Sequence, residues 1–340
     1  MATRFDTIAL PVFEEQLASH HAKLLDIYGD LKDIRYQAGG LVELDYYGLP
    51  VKTECNEVGF SKLCEKLEVP AAWLRSDKCP RDLEKTIIDR KKQDATGQNL
   101  FRIRQEPGEN VLRSVLTNKY LCFNHTDVWR NAKAIFEKQN ITALEPVIWK
   151  PQVGDNLDFW VLFTAINADP NRNDPTMYDN GGFGGLKPAI HIRNSEDGTG
   201  SVRITGGLYR SYCANGVIFG FKEEARMRQV HMGQHWAMRG YIYQAITLAM
   251  STATEGIEAY IKATNVVVNE ELDKIVNRWT SKYALSTETS KLWSKALSNA
   301  RPVTLADIVM ATSDFAGFQT RDIATSMEEM AGAMLVARKL

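Results

Sequence analysis

The sequence lacks the features that assign a protein to a membrane, to an export route or to a strongly charged partner. Its 340 residues carry 41 Lys and Arg against 42 Asp and Glu, so overall charge does not predict nucleic-acid binding. The uncharged run at 240–254 is too short and too polar to span a bilayer. The N-terminus carries acids early and has no apolar segment of a signal peptide. We therefore expect a cytoplasmic protein without a membrane partner, whose nucleic-acid contacts would come from local basic patches.

Motifs for metals and cofactors are also scarce. The five cysteines lie far apart and form no CxxC pair, which argues against a thiolate zinc site and favours a reducing compartment. His231 and His235 have helical spacing, but Gly233 lies between them and the glutamate of a zincin motif is missing. The glycine-rich run 180–188 lacks the Ser or Thr that follows the lysine of a phosphate-binding P-loop. The sequence predicts no cofactor, no metal and no enzyme activity, and a hydrolase using His231 and His235 is the third alternative.

Hydrophobic periodicity predicts an α+β fold with a central, mostly antiparallel sheet, flanking helices and an all-helical C-terminal region. Three regions are expected: a mixed α/β region at 1–99, an α+β core domain at 100–262 and a helical region at 263–340. The expected helices cover 6–28, 56–92 in pieces, 126–139, 239–262 and 266–340. The expected strands cover 33–37, 41–46, 49–53, 100–104, 111–117, 143–149, 159–167, 188–193 and 201–205. A long loop is expected at 168–186, and helix again after Gly207.

The stretch 191–239 combines cations with aromatic residues. Arginines that alternate with apolar residues along strands place their guanidinium groups on one face of a sheet. Tyrosines beside them offer flat surfaces on which bases can stack, and this combination suits single-stranded nucleic acid. The alternative is a solvated sheet face. The predicted nucleic-acid-binding residues are Arg193, Arg203, Tyr209, Arg210, Tyr212, Lys222, Arg226, Arg228 and Arg239.

Several motifs in this part of the chain follow a family pattern. They are LRSVLTNKYLCFN at 112–124, IHIRNSE at 190–196, the run 201–210, the run 212–216 and the later His231. In this order they resemble the domain-of-unknown-function family 932, also known as phage/plasmid-like proteins, over residues 100–240. Two departures are Ala214, where the pattern has Thr, and the insertion at 168–186. The order of elements is also similar to that of single-strand annealing proteins of the RecT and Rad52-like kind.

The resemblance implies a protein of a mobile element that acts in DNA replication, recombination or anti-restriction. Together with the basic stretch it predicts a homo-oligomer that binds single-stranded DNA and promotes annealing. The alternative is an antagonist of host defence, in which the acidic region 1–60 or the helical tail docks onto a host protein.

Overall fold

A computed structural model describes residues 5–139, 141, 144–149, 154–163, 186–210, 215–218 and 227–337. The strands are β1 Phe5–Thr7, β2 Leu24–Asp30, β3 Arg35–Gln37, β4 Leu41–Tyr46, β5 Leu49–Cys55, β6 Gln98–Glu106, β7 Glu109–Thr117, β8 Leu144–Trp149, β9 Asn156–Phe163, β10 Leu186–Ser195, β11 Val202–Arg210, β12 Asn215–Ile218 and β13 Met227–Gln229. The helices are α1 Leu10–Ala22, α2 Glu57–Lys66, α3 Ala71–Leu74, α4 Arg81–Asp94, α5 His125–Lys138, α6 His235–Ala263, α7 Leu272–Lys282, α8 Thr287–Ala300, α9 Leu305–Ala316 and α10 Arg321–Ala337.

The strands form two sheets. One has the order β2-β6-β7-β5-β4-β3 and is antiparallel except for the β5–β7 pair. Its core includes Phe60 and Leu63 of α2, Ile88 of α4 and Phe101 of β6, so helices cover the sheet on that side. The Pro107-Gly108 turn joins β6 to β7, with Gly108 at a φ of 83° that favours glycine.

The other sheet is antiparallel, with the order β1-β8-β9-β10-β11-β12, and β13 pairs with β11. One of its faces packs against α1, α5 and α6 through an apolar core that joins Ile190 and Ile204 of the sheet to Ile242 and Ile246 of α6. The register places the β10 arginine and histidine side chains on the opposite face, because successive residues of a strand alternate between faces.

The helices from α7 to α10 form a separate apolar core around Trp279, Trp293, Met327 and Met330. Leu208 of β11 and Ile257 of α6 belong to this core, so the long α6 joins it to the sheet. None of the helices in the described part of the chain combines the length and apolarity needed to cross a membrane.

The α+β class, the antiparallel sheet and the helical C-terminal region are confirmed. The predicted helix 6–28 is confirmed only over Leu10–Ala22. Its start is wrong because Phe5–Thr7 pair with β8, and its end is wrong because β2 begins at Leu24 and pairs with β6, where Ile27 lies opposite Phe101. The predicted return to helix after Gly207 is also wrong, since β11 continues to Arg210 and pairs with β12. The expected loop at 168–186 lies, except for its last residue, outside the described residues. The boundary expected at 99 falls in β6, which pairs with N-terminal strands.

The seven-stranded sheet and α6 approach each other closely at Gly206. A Cβ atom built on Gly206 would lie 2.1 Å from the carbonyl oxygen of Ala249. A side chain at this position would therefore push α6 away from β11, and the apolar core between them would open.

We expect Gly206→Ala to lower the free energy of unfolding by about 1–3 kcal/mol, the usual cost of overpacking. The matched control is Gly240→Ala, because Gly240 lies in α6 with open space around its Cβ position. That control should stabilise the protein by about 0.5–1 kcal/mol, since alanine favours helix more than glycine does. Urea denaturation measures both changes, and equal stability of the two variants would contradict the packing described here.

Candidate nucleic-acid interface and the buried motif network

Three of the predicted cations occupy neighbouring positions across the seven-stranded sheet. Arg193 of β10 is the register partner of Arg203 of β11, which in turn pairs with Arg228 of β13. Directly opposed residues on neighbouring strands have their Cβ atoms about 4.5–5.5 Å apart and on the same face, where like charges destabilise a sheet. On its other side Arg193 pairs with Asp158 of β9, at 3.2 Å from Nε to Oδ2. Arg193 and Arg203 therefore lie side by side on one sheet face, in a row that the backbone of Arg228 continues.

The row ends in a cleft of about 530 Å³ between the β10–β11 hairpin and α10, and both Arg193 and Arg203 line it. Guanidinium groups donate in a fork that matches phosphate oxygens, and hydroxyl groups add further donors. The sheet side of the cleft supplies Asn156, Asn194, Ser195, Thr199, Gly200 and Ser201. The α10 side supplies Asp322, Thr325, Ser326 and Glu329, whose spacing places them on one helix face. One wall of the cleft is thus cationic and the opposite wall is acidic.

The other predicted residues are placed differently. Tyr209 lies on the same sheet face as Arg203, but it packs against Trp160 at a ring-centroid distance of 5.8 Å and its exposed fraction is 2%. Its ring therefore has no exposed face on which a base could stack. Arg239 is exposed on α6, the helix that covers the opposite face of the sheet. Tyr212, Lys222 and Arg226 lie outside the described residues, and for Arg210 and Arg228 only the backbone is described.

The IHIRNSE motif at 190–196 ends in a buried carboxylate. Glu196 has no exposed surface. Its Oε1 accepts a bond from the His125 backbone N–H at 2.6 Å, and its Oε2 accepts bonds from His20 Nε2 and Arg113 Nη1, both at 3.0 Å. Burial by itself raises the pKa of this carboxyl, but His125, His20 and Arg113 outweigh burial and hold the pKa well below its ordinary value. Glu196 is therefore a charged group in the interior, fully supplied with donors.

Arg102 of β6 holds the same loop from the other sheet. Its Nη1 donates to the Glu196 carbonyl oxygen at 2.6 Å, its Nη2 donates to Asn124 Oδ1 at 2.6 Å, and its Nε donates to Asp26 Oδ1 at 2.9 Å. Arg102 and Arg113 are completely buried. Two arginines of the six-stranded sheet thus bind the hairpin loop of the seven-stranded sheet, and this network joins the two sheets.

Sequence reasoning missed this network, although two signals were available. Arg102 and Arg113 stand in runs of apolar residues on β6 and β7, and a cation inside such a strand implies a buried acid to pair with. The motif at 190–196 is the second signal, because it carries Asn194 and Glu196 beside Arg193, yet only Arg193 was given a role.

A chain of hydrogen bonds crosses the network from one backbone carbonyl to another. His125 Nε2 faces the Gly154 carbonyl oxygen at 2.8 Å, and His125 Nδ1 faces the Asn194 side-chain nitrogen at 2.8 Å. Asn194 Oδ1 faces His231 Nε2 at 3.0 Å, and His231 Nδ1 faces the Leu121 carbonyl oxygen at 3.2 Å.

The two carbonyl oxygens at the ends of this series of hydrogen bonds can only accept. The Asn194 amide donates to one imidazole ring and accepts from the other, whichever way it is turned. All four bonds therefore require three protons on the two imidazole rings, one more than a neutral pair carries. Burial lowers the pKa of His125 and of His231 to about 4, so at neutral pH both rings are neutral and one of the four bonds lacks its proton.

His20, His125 and Glu196 are also a candidate metal site by residue type, since their ligand atoms lie within 4.8 Å of one another. Their surroundings do not suit a cation. The guanidinium of Arg113 occupies the Glu196 oxygen that His20 contacts, and both ring nitrogens of His125 already face hydrogen-bond partners. His231 and His235 belong to no group of three ligating side chains within the described residues.

Replacing Glu196 tests the network. In Glu196→Gln the buried guanidinium of Arg113 loses one of its two carboxylate partners, so we expect the free energy of unfolding to fall by about 3–5 kcal/mol. Glu258→Gln on the exposed side of α6 is the matched control and should change it by less than about 0.5 kcal/mol. Denaturation by urea at neutral pH gives both values. A loss below about 1 kcal/mol for Glu196→Gln would show that the carboxylate does not hold the sheets together.

The two buried histidines predict a pH dependence of stability. In the unfolded chain a histidine takes up its proton near pH 6.5, whereas His125 and His231 in the folded protein do so near pH 4. The unfolded state therefore binds more protons between these values, and stability falls as the pH is lowered, by up to about 1.4 kcal/mol per pH unit for each histidine. Denaturation at a series of pH values measures this slope. The slope should become shallower in His231→Asn, and an unchanged slope in that variant would refute the assignment.

A comparison with protein families confirms the resemblance to the domain-of-unknown-function family 932. Residues 114–298 match the family described as Domain of unknown function (DUF932), and this match covers just over half of the 340 residues. It includes Asn124, His125, Asn194, Glu196 and His231. No curated protein and no solved structure matches the chain. The chain therefore belongs to the DUF932 family of domains of unknown function.

Proposed function

We propose that the protein binds single-stranded DNA, and that Arg193 and Arg203 hold its phosphates in the cleft between the β10–β11 hairpin and α10. The register of Arg193, Arg203 and Arg228 on neighbouring strands carries this proposal. Like charges side by side in a sheet cost stability, and an anion bound between Arg193 and Arg203 would offset that cost. A phosphodiester carries such a charge in the shape that a guanidinium fork recognises.

The opposite wall of the cleft favours a single strand over a duplex. Asp322 and Glu329 stand across from the arginines. A single strand presents phosphates on one side and unpaired base edges on the other, and carboxylates accept bonds from the amino groups of such edges. A duplex presents phosphates along both of its outer sides, and α10 would then repel one of them. The two walls thus match the two sides of a single strand.

The proposal extends to assembly and role. The cleft is short, so one chain contacts few nucleotides, and several copies along one strand would raise the effective affinity. We therefore propose a homo-oligomer that promotes annealing of single strands, acts in the DNA metabolism of a mobile element and works in the cytoplasm of its host. Base pairing drives annealing once the phosphate charge is balanced, so no cofactor is included in the proposal.

The experiment compares the salt dependence of DNA binding in two variants. The logarithm of affinity should fall with the logarithm of salt concentration by about 0.7 for each phosphate contacted, and Arg203→Gln should lower this slope by about 0.7 together with the affinity. Arg90→Gln is the matched control, because Arg90 is exposed on α4, which covers the six-stranded sheet. This substitution should leave the slope and the affinity unchanged. Fluorescence anisotropy with a labelled oligodeoxycytidylate, whose bases carry the amino groups that the acidic wall would accept, gives both quantities. Absence of binding by the unaltered protein at low salt would refute the proposal.

A further inference from the structure

An exposed flank of α6 carries two aromatic residues and a cation at helical spacing. Trp236, Arg239 and Tyr243 stand at positions i, i+3 and i+7, so they share one flank of the helix. The exposed fractions are 72% for Trp236 and 44% for Tyr243, and Arg239 is exposed too. Lys138 of α5 lies over the Tyr243 ring at 5.2 Å. These four residues are called the α6 strip below.

Other aromatic side chains are exposed singly, at Tyr28, Tyr47, Trp73 and Phe318, whereas the strip brings two exposed rings onto one flank of a helix. The Trp236 ring donates its N–H to the Gln234 side chain, so its polar atom is satisfied while its faces meet solvent. Met232 and Val230 precede the strip with exposed fractions of 55% and 46%. Apolar surface of this kind marks a contact with a partner.

The charge of the strip indicates which partner fits. Residues 235–254 of α6 contain no Asp, Glu or Lys and one arginine, Arg239, so this part of the helix carries a single positive charge. Lys138 lies over the Tyr243 ring, and Lys119 is exposed next to Tyr120, whose backbone bridges Met232. A two-fold contact between two copies of this chain would place these cations against each other, because such a contact joins a surface to itself. A polyanion with flat apolar groups fits both the charge and the aromatic rings.

We propose that the α6 strip is a base-stacking site for single-stranded DNA, in which bases stack on Trp236 and Tyr243 while Arg239 and Lys138 contact phosphates. The proposal rests on the proposed function, but it names a separate surface. The strip lies on the helix that covers one face of the seven-stranded sheet, whereas Arg193 and Arg203 lie on the opposite face. One chain thus has two contacts with single-stranded DNA, one that holds phosphates and one that stacks bases.

The test separates stacking from charge. In the double variant W236A/Y243A, affinity for a labelled oligodeoxythymidylate of about 20 nucleotides should fall about 10- to 100-fold, with the salt slope unchanged. In Arg239→Gln the salt slope should fall by about 0.7, because one phosphate contact is lost. Tyr47→Ala is the matched control, since Tyr47 has an exposed fraction of 90% and lies in the other sheet. Circular dichroism should show the same unfolding temperature for all of these variants, because their side chains are exposed.

The outcomes distinguish the two proposals. If Arg203→Gln weakens binding while W236A/Y243A binds as the unaltered protein does, the strip is refuted and the cleft stands. If W236A/Y243A weakens binding while Arg203→Gln has no effect, the strip stands and the cleft is refuted. If W236A/Y243A lowers the mass measured by light scattering but not the affinity for DNA, the strip is a contact between protein chains and the proposal is overturned. Absence of binding by the unaltered protein refutes both.

Discussion

The buried carboxylate of Glu196 is the group on which the arrangement of the two sheets depends. It lies in the loop after β10 and receives donors from α1, from the start of α5 and from β7 of the other sheet. A charge without solvent is tolerated only when it is paired and hydrogen-bonded, so these elements must meet at one point for the chain to fold. Arg102 strengthens the junction by binding the backbone of the same residue. The network therefore sets where the β10–β11 hairpin lies, although Nε and Nη2 of the buried Arg113 have no hydrogen-bond partner among the described residues.

The candidate binding surface depends on this junction. Asn194 and Ser195 belong both to the bonded loop and to the wall of the cleft, and Ser195 Oγ donates to Asp197 Oδ1 at 2.6 Å. Asp197 also accepts the backbone N–H of Thr199 at 3.0 Å, which stiffens the turn. The arginines next to this turn are thereby presented on a rigid hairpin, and a rigid site loses less entropy on binding than a flexible one.

The two proposed DNA contacts differ in chemistry: the cleft binds phosphate charge, and the α6 strip stacks bases. The sheet face with the arginines is largely filled by buried rings, since Trp160 stacks on His191 at 4.6 Å and also contacts Tyr209. Trp160 and Tyr209 therefore serve packing on that face, and α6 carries the two exposed rings of the proposed stacking site, Trp236 and Tyr243. On the sheet side α6 packs closely, with the Ala249 carbonyl oxygen against Gly206, and on its exposed flank it carries Trp236 and Tyr243.

Local pattern determined much of the fold. The alternation of apolar residues identified β6, β7, β10 and β11, and the helical period identified α5 and α6, because both periods follow from backbone geometry alone. The sequence predicted that the arginines of one strand lie on one face of a sheet, because they alternate with apolar residues along that strand. Alternation along a strand does not specify how neighbouring strands align, so only the tertiary structure placed Arg193, Arg203 and Arg228 in register. The tertiary structure also buried Tyr209 and placed Arg239 on α6, which covers the opposite face of the sheet. It also brought together His20, Arg113 and Glu196, residues far apart in the chain, because the energy of a buried ion pair depends on distances in space and leaves no periodic signal in sequence.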